Sequence, residues 1–421
     1  MHPLAVKYRI GIVISIFGRY DLTVRMLDSI NNSDLSDTMV ILVDESNSRN
    51  SPVLSEHDRQ ISDNVMQYPL KADHLKIFKG QHGNINHSLL IGFDLLKNVY
   101  QCQYLVILDS DTIVKKHWLR ELLNAGQYLD KNYPNVPYLV SGFATINGGH
   151  CEIGRMGPLR QMNDLGGINW LFPSQQYEQI RPMLFDCHFD NRVCNWIKKR
   201  RGYLCCTVPS VVEHIGYIGL HSQPKLNIDG MLVYNHDVSV DFYWNKNDLD
   251  QIELKKDSRL IHRLNLDLET NESRSYLLKF KQYHYQYLHV NWTDSEIESL
   301  LTPTDLEIYC QSSQQIKQTM AVKHILWNYG GFYVNQLVEC LQSLDPLLNY
   351  QDHDLTQNIF FTDGSNQTTN YTNYANYIMY GSKRCPLNQN ARILTPEQSQ
   401  IYVLYHGSDL TNGPDVSSLI R

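Results

Sequence analysis

Short continuous apolar runs alternate with amphipathic stretches in the first half of the chain. Four apolar runs predict buried strands, at Arg9–Ile16, Met39–Val43, Tyr104–Leu108 and Tyr138–Phe143. Three stretches with apolar residues at helical spacing predict helices, at Asp21–Ile30, Ile85–Val99 and Trp118–Tyr128. Strands that alternate with helices favour an α/β fold with a mostly parallel central sheet.

The pattern changes around residues 235–270, where the chain becomes polar and charged. We therefore predict a first domain at 1–240, a boundary region at 241–270 and a second, smaller α/β domain at 271–421. In the second domain, Gln314–Tyr329 has the pattern of a helix. Gly330 and Gly331 then predict its end and the start of a strand.

Composition excludes several classes of protein. With 421 residues, 42% of them apolar, the chain is long enough for two domains with sizeable cores. A net charge of −7 argues against a nucleic-acid binder. The nine cysteines are irregularly spaced, so no disulfide framework is predicted. No apolar run has the length of a membrane span, and the first run reads as a strand rather than a signal peptide. We expect a cytoplasmic, reducing location.

Two aspartates follow the third apolar run, with one serine between them: Asp109, Ser110 and Asp111. On an extended segment, side chains two residues apart point to the same side, so these two negative charges would repel each other without a nearby cation. Carboxylates of this kind suit Mg²⁺ or Mn²⁺ together with substrate phosphates. A turn-forming role is the structural alternative. Asp44 ends a neighbouring predicted strand, at the edge where α/β sheets bind ligands.

Four segments in order resemble an inverting glycosyltransferase of the GT-A fold, similar to glycosyltransferase family 2. They are "IVISIFGRYDLTVRMLDSI", "VILVDESN", "YLVILDSDTIVKKHWLREL" and "FDNRVCNWIKKRRGYLCCTVPSVVEHIG". The resemblance covers about residues 8–222. It implies transfer of a sugar from a nucleotide diphosphate donor, expected to be a UDP-sugar, to a glycan or other hydroxyl acceptor with inversion.

The resemblance also implies roles for single residues. Phe17 and Arg19 would lie beside the nucleotide, and Asp44 would bind the uridine or ribose. Asp109 and Ser110 would complete this nucleotide site.

The resemblance implies a divalent metal, Mn²⁺ or Mg²⁺, in the same site. Asp111 would bind it directly, Asp109 would contact the ribose or a metal-bound water, and His214 would be a further ligand. The alternative for His214 is a hydrogen-bonded histidine of the core. The metal would neutralise the leaving diphosphate.

Inverting transfer also needs a carboxylate that takes the proton of the acceptor hydroxyl. Asp190 matches the family position, with Asp186 as the second candidate. The family often has an acidic pair here, whereas this chain has Asp190 followed by Asn191, so the choice of base stays open. The loop Met162–Pro173 is expected to shape the acceptor side, with Trp170 either stacking on a sugar or lying in the core.

Residues 275–345 resemble another sugar-transferase family, glycosyltransferase family 32, through "YHYQYLHVNWTDSEIESLL" and "KQTMAVKHILWNYGGFYVNQLVECLQSLDPLL". That family carries Asp-x-Asp after the "YGG" segment, where this chain has Asn335, Gln336 and Leu337. Without anionic ligands such a site does not hold a divalent cation. We therefore expect an inactive second domain that binds acceptor, completes the cleft or assembles a dimer.

Three functions remain as hypotheses at this point. The first is a metal-dependent glycosyltransferase. The second is a non-catalytic carbohydrate-binding or scaffolding protein built from two transferase folds, against which Asp109, Asp111 and His214 argue. The third is a nucleotidyltransferase, which would usually need a glycine-rich phosphate loop near the first strand, and "SIFGRYD" is not one.

Overall fold

The computed structural model describes residues 8–16, 20–44, 67–78, 85–145, 150–186, 188–216, 225–226, 232–233, 237–250, 259–264, 271–284, 287–334, 338–340, 344, 358–360, 378–381, 391–393 and 403–405. The chain separates into two compact units. The first comprises Met1–Gln223 and His236–Phe242, and the second comprises Pro224–Asn235 and Tyr243–Arg421. The domain roles assigned from the sequence stay predictions.

Eleven strands are described in the first unit: β1 (Ile10–Ile16), β2 (Thr38–Asp44), β3 (Asp73–Phe78), β4 (Tyr104–Asp109), β5 (Thr112–Val114), β6 (Tyr138–Ser141), β7 (Glu152–Met156), β8 (Leu159–Met162), β9 (Asn169–Pro173), β10 (Tyr203–Cys206) and β11 (Val212–His214). Nine of them form one sheet in the order β3-β2-β1-β4-β9-β6-β10-β8-β7, and β5 pairs with β11 in a separate ribbon.

Most neighbours in the first half of this sheet are parallel. Strands β3, β2, β1 and β4 are parallel to one another, and β6 is parallel to β10. Strand β9 is antiparallel to both β4 and β6, and β8 is antiparallel to β10. The predicted α/β class with a large, mostly parallel central sheet is therefore confirmed, and the arrangement is consistent with a GT-A-like fold.

Five α-helices are described in this unit: α1 (Tyr20–Asn31), α2 (Ile85–Asn98), α3 (Trp118–Asn132), α4 (Tyr177–Ile180) and α5 (Phe189–Lys199). The predicted face of α1 is confirmed, because Leu22, Met26 and Ile30 are all buried. The central strands between the helices are largely shielded from solvent. The Val13 side chain, for example, is fully buried. Each such aliphatic side chain contributes roughly 1.5–3 kcal/mol to folding.

The loop predicted at Met162–Pro173 is wrong in its second part. Asn169–Pro173 is strand β9, inserted between β4 and β6, and all five of its residues are buried. Trp170 is fully buried and its indole N–H donates to the Gly166 carbonyl oxygen at 2.7 Å. The ring is therefore part of the core and not a sugar-stacking surface.

The second unit contains strands β12 (Lys225–Leu226), β13 (Leu232–Val233), β14 (Leu260–Leu264), β15 (Leu288–Trp292), β16 (Gly331–Val334), β17 (Val338–Cys340), β18 (Asn358–Phe360), β19 (Ile378–Gly381), β20 (Ala391–Ile393) and β21 (Val403–Tyr405). Six of these form a sheet in the order β15-β14-β16-β19-β18-β20. Strand β14 is parallel to both β15 and β16. It lies within the predicted boundary region 241–270 yet belongs to this sheet.

The described helices of the second unit are α6 (Lys246–Leu249), α7 (Asn271–Tyr283), α8 (Asp294–Glu298), α9 (Pro303–Gln311) and α10 (Gln314–Tyr329). The end of α10 and the start of β16 are as predicted. Gly330 has φ 70° and Gly331 has φ 94°. Residues with a Cβ atom rarely adopt such backbone angles. A Cβ atom on Gly331 would also lie 2.7 Å from the Leu260 carbonyl oxygen.

A buried histidine connects three elements of the second unit. His262 on β14 accepts a hydrogen bond at Nδ1 from the Trp292 indole N–H at 3.0 Å. Since the indole nitrogen only donates, Nε2 carries the proton and donates to the Gly330 carbonyl oxygen at 2.7 Å. Burial lowers the pKa of His262 to about 4. The neutral ring thus fastens β15 and the end of α10 to β14.

This network predicts that acid destabilises the second unit. A histidine with a lowered folded-state pKa stabilises the fold above its unfolded pKa of about 6.5 and loses that contribution as the pH falls toward about 4. We expect unfolding free energy to decrease by about 1.4 kcal/mol per pH unit across this window from His262 alone. Urea unfolding followed by tryptophan fluorescence at several pH values measures it.

His262→Gln is the control, because glutamine cannot take up the proton. The variant should be less stable at pH 7 but should show a shallower loss between pH 6.5 and pH 4. An equal slope in both proteins would mean that other groups carry the acid sensitivity.

Candidate functional site

The carboxyl ends of β1, β2 and β4 meet at one edge of the first unit's sheet. Ile16 at the end of β1 is in register with Asp44 at the end of β2, and Ser15 is in register with Asp109 at the end of β4. Asp44 and Asp109 therefore both lie at the carboxyl edge of the sheet. Ligands of α/β sheets bind at such an edge.

The expectation that Asp109 and Asp111 lie on one extended segment is wrong. Strand β4 ends at Asp109, Ser110 and Asp111 form a turn, and β5 begins at Thr112. The Thr112 hydroxyl donates to the Asp109 carbonyl oxygen at 2.8 Å and closes this turn. Ser110 and Asp111 are buried, whereas Asp109 is half-buried. The two carboxylates are therefore set by a turn and not by strand alternation.

The β5–β11 ribbon brings Asp111 to His214. Thr112 is in register with His214, and the Ile215 backbone N–H donates to the Asp111 carbonyl oxygen at 2.8 Å. Across this ribbon the His214 Nε2 atom lies 3.2 Å from the Asp111 Oδ2 atom. Two residues separated by 103 positions in the sequence thus share one site.

The ring of His214 is held from its other side by a backbone carbonyl. Its Nδ1 atom lies 2.9 Å from the Asp237 carbonyl oxygen, and this contact leaves Nε2 facing Asp111. Burial by itself lowers the pKa of His214, but the Asp111 carboxylate outweighs it, with a smaller contribution from Asp109, and raises the pKa to about 9. Asp111 and His214 therefore form a strongly polar centre that is shielded from solvent.

Gly216 forms a wall of this centre. A Cβ atom at this position would lie 1.9 Å from the Asp111 Oδ2 atom and 2.6 Å from the His214 Nε2 atom. Only a residue without a side chain lets the backbone approach the pair so closely.

Asp44 is buried beside the start of α1. Its side chain is completely shielded, and the Tyr20 hydroxyl lies 3.5 Å from its Oδ2 atom. The neighbouring residues Phe17 and Arg19, predicted to lie beside the nucleotide, fall outside the described residues. Asn86 on α2 is buried and donates to the Asp186 carbonyl oxygen.

The two candidate bases lie at the start of α5, in different environments. Asp190 is the second residue of the helix, and its carboxylate accepts the Asn191 backbone N–H at 2.8 Å. His188 and not Asp190 occupies the N-cap position. The Asp186 carboxylate accepts the His188 backbone N–H at 2.9 Å and forms an ion pair with Arg192. Asp186 is therefore the more heavily engaged of the two.

The start of α5 faces the same edge as Asp109. Helix α5 precedes β10 and packs on it, so its first turn lies near the carboxyl end of that strand. Phe189 packs against Gly167, where a Cβ atom would lie 2.9 Å from its ring. The next residue, Ile168, accepts the Asp109 backbone N–H at 3.0 Å. Two neighbouring contacts thus connect the start of α5 to Asp109.

The donor set fits a divalent cation as a pair of protein ligands. Asp111 offers a carboxylate oxygen, and His214 offers a ring nitrogen whose second nitrogen is held by a carbonyl group, a common arrangement for metal-binding histidines. Within the described parts of the chain, no three His, Cys, Asp or Glu side chains converge as a metal centre. Mg²⁺ commonly keeps several waters and substrate phosphate oxygens among its ligands.

Sequence reasoning missed several groups that build the site. The Asp237 carbonyl, the Ile168 carbonyl and the backbone of Gly216 act through main-chain atoms, for which no side-chain pattern exists. Asn335, Gln336 and Leu337, on which the prediction of an inactive second domain rests, lie outside the described residues. The inactive second domain and the dimer both stay predictions.

Comparisons with known proteins leave the family open. No protein-family profile and no curated protein matches the chain. Among similar solved structures is residues 1–349 of TarS from S. aureus, with 10% identity and a TM-score of 0.32. The similarity covers 48% of this chain and 59% of that one. At this identity and TM-score it carries no argument about function. Among the described residues, no helix combines the length and apolar character of a membrane span.

Proposed function

We propose that the first unit is a metal-dependent glycosyltransferase that moves a sugar from a nucleotide diphosphate donor to a hydroxyl acceptor with inversion. One observation carries the proposal. The Asp111 and His214 side chains, which the resemblance assigns to one site, lie 3.2 Å apart at the carboxyl edge of the sheet. Because Asp111 and His214 are 103 positions apart in the sequence, their contact is independent support for the proposal.

The donor would lie along the ends of β1, β2 and β4. The resemblance assigns Asp44, at the end of β2, to the uracil or ribose. Asp109 and Ser110, in the adjoining turn, would face the ribose and the diphosphate. As the resemblance implies, we propose a UDP-sugar as the donor.

Asp111 and His214 would hold Mn²⁺ or Mg²⁺ against the donor diphosphate. When bound, the cation supplies Lewis-acid stabilisation of the negative charge on the leaving nucleoside diphosphate. The protein's own contribution is to fix the two ligands before substrate arrives. The Asp237 carbonyl orients the His214 ring, and the β5–β11 ribbon orients Asp111.

Asp190 would take the proton from the acceptor hydroxyl as that oxygen attacks the anomeric carbon. Its carboxylate is half-buried at the start of α5, near the edge that holds Asp109. Asp186 is the second candidate, although its carboxylate already binds Arg192.

A donor screen tests the proposal. The full-length chain is incubated with UDP-, GDP- and CMP-linked sugars, with and without Mn²⁺ or Mg²⁺, and released nucleotide is measured. We expect slow, metal-dependent release of UDP from at least one UDP-sugar, faster with a suitable hydroxyl acceptor. Absence of release from every donor, together with no binding of UDP in the presence of Mn²⁺, would refute the proposed function.

A further inference from the structure

The residues Asp237–Phe242, named the strap here, return to the first unit. The stretches before and after this part of the chain, Pro224–Asn235 and Tyr243–Arg421, belong to the second unit. The strap contains the Asp237 carbonyl that contacts the His214 Nδ1 atom at 2.9 Å. One backbone oxygen of the strap thus determines where a side chain of the candidate site points.

Two backbone N–H groups of the strap donate hydrogen bonds to other parts of the first unit. The Ser239 N–H donates to the Glu213 Oε1 atom at 2.6 Å, and the same oxygen accepts the His214 N–H at 3.1 Å. The Val240 N–H donates to the Ala144 carbonyl oxygen at 2.8 Å, just after β6. The first contact ties the strap to the residue that precedes His214, and the second ties it to the main sheet.

A buried ion pair anchors the far end of the strap. The Arg160 Nη2 atom donates to the Asp241 Oδ2 atom at 2.9 Å, with the two side chains only 8% and 9% exposed. The other oxygen of Asp241 accepts both the backbone N–H and the hydroxyl of Ser210. Arg160 also donates through Nε to Glu152 at 2.8 Å.

Arg160 and Asp241 each neutralise the other's buried charge. Burial opposes the charge of Arg160, but Asp241 outweighs this effect and keeps the pKa of Arg160 above its usual value. Removing the guanidinium would leave the Asp241 carboxylate buried without its counter-charge, which is strongly unfavourable. The strap would then move to bring Asp241 into contact with water, and the Asp237 carbonyl would move with it.

We propose that Arg160 is a positioning residue: through Asp241 it fixes the strap, so that the Asp237 carbonyl holds the His214 ring with Nε2 toward Asp111. The role of Asp111 and His214 as metal ligands rests on the proposed function. The positional part stands on the contacts alone, and a measurement on the protein without metal or substrate tests it.

The test uses full-length protein labelled with ¹⁵N-histidine. Hydrogen-bonded to Asp237, the His214 Nδ1 proton should give a slowly exchanging ring N–H signal, assigned by its loss in His214→Gln. Arg160→Met should abolish this signal or speed its exchange by about tenfold, because the local opening becomes easier. Arg155→Met is the matched control, since Arg155 also pairs with Glu152, at 2.8 Å, but has no contact with the strap among those the structure describes.

Manganese affinity in the presence of UDP is the second readout. We expect about tenfold weaker binding in Arg160→Met, as for other residues that orient metal-binding histidines. Arg160→Lys, which keeps the charge, should recover part of the affinity. An unchanged His214 signal in a folded Arg160→Met protein would overturn the positioning role. An altered signal with unchanged manganese affinity would support the positioning of the ring and overturn its expected effect on metal binding. If wild type binds no manganese while the signal behaves as expected, the metal assignment fails and the positioning role stands.

Ser210→Ala keeps the test decisive if Arg160→Met does not fold. This change removes the hydroxyl donor to Asp241 together with the Oγ acceptor of the Ala144 backbone N–H, and it leaves the ion pair in place. Faster exchange of the His214 ring proton than in wild type is the expected result. Exchange as slow as in wild type would overturn the coupling between Asp241 and the ring.

Discussion

Asp111→Asn should abolish manganese-dependent binding of UDP and lower sugar transfer by about 10²–10³-fold, the typical effect of losing one group that stabilises transition-state charge. Asparagine keeps the size of the side chain and an oxygen beside the His214 Nε2 atom, now 3.2 Å from the Asp111 Oδ2 atom. It removes the negative charge. With a single pair of protein ligands described, loss of one anionic ligand leaves too little affinity for a hard cation.

Calorimetric titration with UDP, with and without Mn²⁺, measures the first effect, and nucleotide release measures the second. Glu121→Gln is the charge-matched control, because Glu121 lies half-exposed on α3, with 45% of its side chain accessible. That variant should behave as wild type. Wild-type manganese-dependent UDP binding by a folded Asp111→Asn protein would contradict the metal assignment, whatever its transfer rate.

The sequence predicted the central parallel strands well because they are buried on both faces. Strands β1, β2 and β4 are continuous apolar runs, and such runs occur where helices cover a sheet on both sides. The helix end at Gly330 and Gly331 was equally readable, since the positive φ angles there favour glycine. These features are local, and local chemistry is what a single sequence expresses.

The reversed strand β9 could not be predicted in the same way. Its run, Asn169–Pro173, is short and follows two glycines, which favoured a loop. Its place between β4 and β6 depends on pairing with strands that are distant in the chain, as between Val140 and Leu171. The turn at Ser110 and Asp111 was missed for a related reason, because two aspartates after a strand fit an extended end and a turn equally well.

The meeting of Asp111 and His214 was expected only through the resemblance. Neither residue type nor spacing indicates a contact over 103 positions. The carbonyl of Asp237 had no signal at all, since every residue except proline offers the same backbone groups. Side-chain chemistry at the ends of strands can thus be anticipated from sequence, whereas the backbone groups that orient it emerge from the fold.

Asp190→Asn should lower the rate of transfer by about 10²–10⁴-fold while leaving manganese-dependent UDP binding unchanged, as expected for loss of a general base. The Asp190 carboxylate accepts the Asn191 backbone N–H at 2.8 Å, and an asparagine oxygen can accept the same bond. The start of α5 should therefore keep its structure. Steady-state kinetics of transfer, together with UDP titration, separate the two effects.

Asp186→Asn provides the discriminating comparison, because Asp186 lies four residues earlier and differs in its partners. Its carboxylate is already bound to the Arg192 guanidinium and to the His188 N–H, and both contacts compete with an acceptor hydroxyl for its oxygens. Among the described residues, only the Asn191 N–H engages the Asp190 carboxylate, so its second oxygen remains able to receive a proton. We therefore expect Asp186→Asn to reduce transfer less than tenfold. The opposite ranking, with UDP binding intact in both variants, would assign the base to Asp186 and give Asp190 a helix-start role.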